Sequence, residues 1–546
     1  MKSIRLMAAA LITLSMVACA SAEQMAKMAN NVKVNCDPAV LEAVAGTVDA
    51  NLTVTYPEKY FNPKAILTVT PVVVYDGGET KLAPIIYQGE KVKDNYKTVS
   101  SKGQTVRERI SFDFVEGMEV SSLELRGVAS LKGKSVNLPV RKVADGINTT
   151  YMLVDQNGFI SYKPDNYQDV IHQTAEGQIK YAVNSSEVTN KQINSQSIKD
   201  FQNAVESIKK DERSTITGTK VIAYASPEGG QKLNSKLSQR RSETADKAWD
   251  KVMKNSNLSD PEVLSMGQDW EGFQELVAQS DIEDKDLILR VLNMYSDPEV
   301  RENEIRNMSQ VFLNLKKGIL PELRRARFIA DVEYKNYTSE ELLQLIDNNI
   351  DVLDEDALLH AATLVQGFSK KKDLYEKAID KFDSDRARFN LGVANLEAGQ
   401  LSAAKRAFNS VKTQDADIEN ALGIIDMQAG NYDDALRHFK KAGDENATAN
   451  RGVLDILQGN YSAAADELKN APGCCYNKTL AYILNNDLNK AKASAQCESA
   501  RVAYLKAIIA ARQGDAQTVA SELAKASKVP ELARRAKTDI EFAQYR

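Results

Sequence analysis

The sequence predicts a multidomain protein: an N-terminal β-sandwich, a central α/β domain and a C-terminal α-helical solenoid. Three observations predict it. Short alternating apolar runs fill residues 30–160, strand and helix periods alternate over 165–335, and a helical pattern recurs at a fixed offset over 338–546.

In the first region, residues 65–75 form a strand pair or one long bent strand, closed by the turn signal Asp76-Gly77-Gly78. A further run follows at 84–90, and residues 111–115 and 122–128 alternate. Short runs punctuated by Gly, Asp and Pro are the pattern of a small sandwich. The stretch from Asn62-Pro63 to Gly89-Glu90 resembles the N-terminal domains of envelope proteins of Bacteroides-like bacteria. That resemblance implies no activity, and the expected role is adhesive or structural.

In the second region, residues 177–183 read as a strand. Ile198, Phe201, Val205 and Ile208 then mark one face of a helix. A second strand covers 221–225, and a second helix carries Leu237, Ala245, Ala248, Trp249 and Val252. In the last strand, Phe328, Ala330, Val332 and Tyr334 share a face.

The third region repeats. Gly392, Gly399, Ala404 and Phe408 recur as Gly423, Gly430, Ala435 and Phe439 at an offset of 31 residues, and Gly452, Gly459, Ala464 and Leu468 follow 29 residues later. A small residue lets two helices approach, a glycine turns the chain, and an aromatic or leucine fills the gap. One hairpin cannot bury its own apolar face, so the units must stack. The pattern resembles the tetratricopeptide repeat, shortened below its usual length, with residues 530–546 as a capping helix. The resemblance implies a concave face that binds a peptide or protein partner, with Asn390, Asn395, Asn420 and Asn450 on the first helices as candidates.

The most specific string lies in the central region: residues 223–229, Ala-Tyr-Ala-Ser-Pro-Glu-Gly, then Asn234, Leu237-Ser238 and Arg240-Arg241. With Leu323-Arg324-Arg325-Ala326 before the final strand, it is similar to the OmpA-like peptidoglycan-binding domain; the resemblance covers roughly residues 177–335 of a domain expected over 165–335. The resemblance implies a pocket for the zwitterionic side chain of a stem-peptide diamino acid, where a carboxylate faces the ammonium and a guanidinium forks the carboxylate. Arg241 falls on the family's ligand-binding arginine. Ser226 falls where the family has its aspartate, so that charge is missing, and Glu228 is the candidate substitute. The other reading makes Asn234 and Arg241 structural. A stretch over about 254–320 is longer than the family's usual link and is expected to be a helical insertion, with Trp270 and Phe273 as packing residues.

The chain opens with Lys2 and Arg5, an uncharged apolar stretch over 6–17, and small residues. This is a secretory signal within residues 1–22. Two cleavage sites compete: an ordinary one after Ala22, and a lipobox ending at Cys19, which would then carry lipid. Net charge is -5 with both signs interspersed, so no basic block points to nucleic acid. Five cysteines without a CxxC pair and three scattered histidines argue against a metal site. A disulfide from Cys474 or Cys475 to Cys497 fits the two ends of one hairpin; three buried thiols are the alternative. No nucleophile–base pair, phosphate loop or cofactor motif stands out.

The expected function is therefore non-catalytic and cofactor-free. One reading is an outer-membrane lipoprotein, facing the periplasm, that ties the membrane to the peptidoglycan stem peptide and docks a protein partner on its repeats. The alternative is a periplasmic assembly or chaperone factor whose repeats hold client proteins and whose OmpA-like domain does not bind peptidoglycan.

Overall fold

The computed structural model describes residues 21–254, 256–282, 285–473 and 476–546, with the backbone alone at 309–312 and 314. The expected lipidation site Cys19, most of the signal, and Cys475 with its expected partner bond to Cys497 lie outside the described residues. The chain divides into two compact units. One joins everything up to Pro164 to Lys371–Arg546; the other is Asp165–Lys370. The central domain is thus an insertion into a unit built from both ends of the chain. Residues 338–370, read from sequence as the start of the array, fall in the central unit as the helices Ser339–Asn348 and Glu355–Leu364.

The N-terminal region is a sandwich of two sheets. In one, β3 (Thr47–Tyr56) is flanked by β8 (Gln104–Asp113) and by β1 (Lys33–Asp37) and β2 (Leu41–Val44), and β12 (Ile147–Asn148) closes on β2. In the other, β4 (Ile66–Tyr75) pairs with β9 (Ser121–Leu131), β5 (Gly78–Lys81) and β6 (Ile85–Gly89). Here β7 (Lys97–Val99) lies beside β6, while β10 (Lys134–Asn137) and β11 (Arg141–Asp145) lie beside β9. The run at 65–75 is one strand, not two. Alternation does the sorting: Val48, Ala50, Leu52, Val54 and Tyr56 of β3 all point inward. Ahead of β1, the helix Ala22–Lys27 buries Ala22 and Met25 against the same core.

The central unit carries a four-stranded sheet in the order β13 (Val170–Lys180), β16 (Arg325–Lys335), β14 (Ser214–Ala225), β15 (Glu262–Gln268). Only β14 and β15 are parallel. The helices Gln196–Lys210 and Gln231–Val252 pack on one face through Phe201 and Trp249, whose rings meet Phe328 of β16. The expected helical insertion begins with a strand, β15, that the sequence reading did not contain. The helices between Trp270 and Gly318 follow, with a small core of their own around Phe273, Ile288 and Leu292. Trp270 meets Phe273 edge-on.

Beyond Lys371 the chain is a stack of antiparallel helix pairs, as the repeat pattern predicts. Asp385–Glu397 pairs with Leu401–Asn409, Ala416–Gln428 with Tyr432–Ala442, Glu445–Leu457 with Tyr461–Glu467, Tyr476–Leu484 with Leu488–Ser494, and Ala500–Gln513 with Ala516–Ala526. The repeated glycines do two jobs. A Cβ on Gly392 would stand 2.5 Å from the Phe408 ring and one on Gly423 2.5 Å from Phe439, so the helices close only without side chains there. Gly430 instead turns the chain at φ +80°. The last helix, Pro530–Ala536, leads to Glu541, which anchors the array to the end of the sandwich. Glu541 accepts hydrogen bonds from Asn148 Nδ2 and Thr150 Oγ1 at 2.9 Å each and pairs with Arg512 at 2.5 Å.

Candidate functional site

Two places gather the residues singled out in the sequence. The first is the groove lined by the first helices of successive repeats. Beyond the single 3-10 turn Thr150–Leu153 the chain runs to the central unit without strand or helix, and residues 153–164 lie along this groove. An extended chain leaves its backbone N–H and C=O groups unpaired, and buried groups of that kind need partners. Asparagine amides supply them. Asn477 Oδ1 accepts from Asp155 N at 2.9 Å while its Nδ2 donates to Asp155 O at 2.8 Å. Asn450 does the same for Phe159, at 2.6 and 3.1 Å, and Asn390 for Lys163, at 2.7 and 3.1 Å. Asn420 adds a second donor to Phe159 O at 2.8 Å and accepts from Asn450 Nδ2 at 2.8 Å. Every fourth residue of the segment is held at both ends of its peptide unit.

Side chains complete the fit. Tyr162 stacks on Tyr375 and donates to Glu397 at 2.6 Å. Arg501 pairs with Asp155 at 2.5 Å, and Lys163 reaches both Asp415 and Asp417 beside the Phe389 ring. Gly158, at φ +81°, passes so close to Ile424 that a Cβ would sit 2.7 Å from it. The groove that the sequence reading offered to a partner therefore holds the chain's own segment. Three of its four asparagine candidates make the contacts. Asn395 does not: its Nδ2 donates to Leu391 O at 2.6 Å within its own helix. Asn477 was missed, because it sits in a repeat without the glycine signature; its place near the start of a first helix was the available signal.

The second place is a pocket of about 510 Å³ in the central unit, where the structure brings together Ser226, Glu228, Asn234 and Arg241 with Arg306, Lys316 and Arg324. The loop after β14 and the start of the helix Gln231–Val252 form one side. Asn234 ties them together, donating from Nδ2 to Ser226 O at 3.0 Å and also to Gly229 O. Arg241 is fully buried. Its guanidinium donates to the carbonyls of Ser185 at 2.9 Å, Tyr224 at 2.9 Å and Ala182 at 3.2 Å, and lies 4.8 Å from the Tyr181 ring centre. Burial lowers its pKa to about 10. Much of the fork expected to grip a ligand thus holds the pocket's own walls.

Glu228 also departs from expectation. Its Oε1 accepts from Ser226 Oγ at 3.0 Å and from Arg324, with Nε at 2.9 Å and Nη2 at 2.8 Å. All three contacts fall on Oε1, so the carboxylate is paired with Arg324 through one oxygen and its charge is shared with that guanidinium. Arg306 pairs with Glu302 and donates to Glu228 O, and Lys316 makes no ion pair among the described residues. Four cations line the pocket; with Arg306 paired to Glu302 and Arg324 to Glu228, Arg241 and Lys316 are in excess of the carboxylates. The Arg324-Arg325 pair does structural work on both sides, since Arg325 meets the buried Asp269 at 2.9 Å.

Among the described residues there is no cluster of three or more His, Cys, Asp or Glu placed to hold a metal ion, and no helix long and apolar enough to cross a membrane.

No family model matches the chain, and no curated protein matches it. Among solved structures, the chain is similar to a tetratricopeptide repeat protein from Parabacteroides merdae, at 16% identity over 37% of this chain and 91% of that one, with a TM-score of 0.31. It is also similar to the Cut9–Hcn1 hetero-tetramer of the APC/C, at 13% identity over 56% of this chain and 77% of that one, TM-score 0.33. A third similarity is to pilF of Pseudomonas aeruginosa, at 15% identity over 38% of this chain and 96% of that one, TM-score 0.27.

Proposed function

We propose that this chain is a non-catalytic scaffold of the cell envelope, in which the central pocket takes a carboxylate of the peptidoglycan stem peptide and the repeat array is the rigid frame. The observation that carries the reading is the convergence of Ser226, Glu228, Asn234 and Arg241 on one cation-rich pocket. Arg241 and Asn234 shape the pocket. Lys316 at its wall, with Arg306 and Arg324, supplies the attraction for an anionic group. In this reading Cys19 carries lipid, the membrane is the outer one, and the domain faces the periplasm.

The occupied groove favours a scaffold over a chaperone that captures clients in its repeats. An incoming protein partner is met by the outer helices, or it must displace residues 153–164. The test is co-sedimentation of the purified protein with insoluble peptidoglycan, alongside Lys316→Glu. Wild type is expected in the pellet and the variant largely in the supernatant. Wild type left in the supernatant would end the tether, and equal pelleting of both would end the assignment of the pocket.

A further inference from the structure

The segment that fills the groove is gripped at intervals, and between two grips lies the chain's one Asn-Gly pair, Asn157-Gly158. On one side Asn477 holds Asp155, and Gln428 Nε2 donates to Gln156 O at 2.8 Å. On the other side Asn450 and Asn420 hold Phe159. Between them the Asn157 side chain is exposed. The Asn157 N–H donates to Asp155 Oδ1 at 3.0 Å, but the Gly158 N–H donates to nothing among the described residues.

An asparagine side-chain carbon and the backbone nitrogen that follows it can close a five-membered ring. Closure needs that nitrogen free of the hydrogen bond a helix or strand would impose, and no Cβ crowding it; reopening needs water. All three conditions hold here. Gly158 has no Cβ and lies outside helix and strand, at φ +81°. A cavity of about 370 Å³ beside it, lined by Asn157, Ser161 and Asn446 among others, has polar walls and room for water.

We propose that Asn157 is a site of spontaneous conversion to isoaspartate, and that the conversion loosens the segment from the groove. The Gly158 nitrogen attacks Asn157 Cγ and loses its proton, the side-chain amide leaves as ammonia, and a succinimide forms. Water then adds to a ring carbonyl. Cleavage of the bond from the ring nitrogen to the original main-chain carbonyl carbon leaves isoaspartate, with the chain routed through Cβ and Cγ; cleavage at Cγ leaves aspartate. One water is consumed and one ammonia released, with no change of oxidation state. Isoaspartate adds one atom to the main chain between the grips on Gln156 and Phe159. The slack cannot move toward the array, because even a Cβ on Gly158 would stand 2.7 Å from Ile424. Phe159 is therefore carried off its asparagine partners.

The test ages the purified full chain in mildly alkaline buffer beside Asn157→Gln, whose longer side chain closes a ring far more slowly. Freshly prepared Asn157→Asp supplies the charge without the extra main-chain atom. Peptide mapping by mass spectrometry, with enzymatic methylation of isoaspartyl groups, follows the conversion, and limited proteolysis follows the segment. The peptide holding Asn157 is expected to exchange amide for acid and to label as isoaspartyl ahead of every other asparagine. Aged wild type should be cut within 153–164 about tenfold faster than fresh protein, the opening that one lost buried hydrogen bond produces. Aged Asn157→Gln and fresh Asn157→Asp should be cut like fresh wild type. The proposal is overturned if Asn157 does not convert or converts no faster than other asparagines, or if conversion leaves cutting unchanged. Asn157→Gln loosening on ageing as wild type does, or fresh Asn157→Asp already cut fast, would also overturn it.

Discussion

Asn450 holds Phe159 by both ends of its peptide unit, Oδ1 accepting from the N–H at 2.6 Å and Nδ2 donating to the carbonyl at 3.1 Å. The two residues are 291 positions apart in the chain, so this contact closes one of the longest loops in the fold. Replacing Asn450 by Ala takes the partner from the Phe159 N–H and from Asn420 Oδ1, while the Phe159 carbonyl keeps Asn420 Nδ2. We expect a loss of about 1–3 kcal/mol in urea unfolding, with faster proteolysis of 153–164. Asn395→Ala, which touches no part of the segment, should leave that proteolysis unchanged.

Gly392→Ala drives a methyl group into the Phe408 ring. Overpacking of this kind costs about 1–3 kcal/mol. The thermal midpoint should fall, and the double variant Gly392→Ala/Phe408→Leu should recover part of the loss. Simple loss of a turn glycine predicts no such recovery, so a double-variant cycle separates the two.

The sandwich–array joint should weaken in acid. Burial pushes the Glu541 carboxyl up, but the hydrogen bonds and charge of Arg512, with Asn148 and Thr150, carry it below its ordinary 4.5. A carboxyl depressed in the folded state contributes stability that is present above pH 4.5 and is lost as pH falls through the folded value. Urea midpoints of wild type should drop along that limb. Glu541→Gln should be less stable at neutral pH and flatter with pH below 4.5; a parallel acid limb in both would remove Glu541 as the cause.

Within the central unit, Arg241→Ala empties a fully buried site and takes the donor from three part-buried carbonyls, and the melting temperature should fall by several degrees. Lys316→Glu lies on an exposed wall and should melt like wild type. Loss of ligand by Arg241→Ala alone therefore says little about the pocket, and Lys316 is the informative position. Thermal scans of both variants check the contrast.

Periodic features were legible in the sequence. The spacing of Ile198, Phe201 and Val205 identified a core face because a helix repeats its contacts every three or four residues, and the Gly392–Phe408 register was readable because it recurs in the next hairpin. Contacts without a period were not. β15 exposes most of its side chains at a sheet edge, so it has no alternation to read. Residues 154–164 form neither helix nor strand, so nothing marked them as the filling of a groove, although Asn390, Asn420 and Asn450 were marked as its lining. The Glu228–Arg324 pair spans 96 positions, beyond the reach of any local pattern.

The insertion of the central unit has a consequence in time. A chain made N-terminus first presents residues 153–164 well before the helices that enclose them. The array never exists as an empty vessel: when its last hairpin closes, the tethered segment is already at hand on the same chain, and its binding is intramolecular. A free peptide in the surroundings arrives late and dilute, and only one that binds far more tightly, or meets a chain cut between 164 and the first repeat, can take its place.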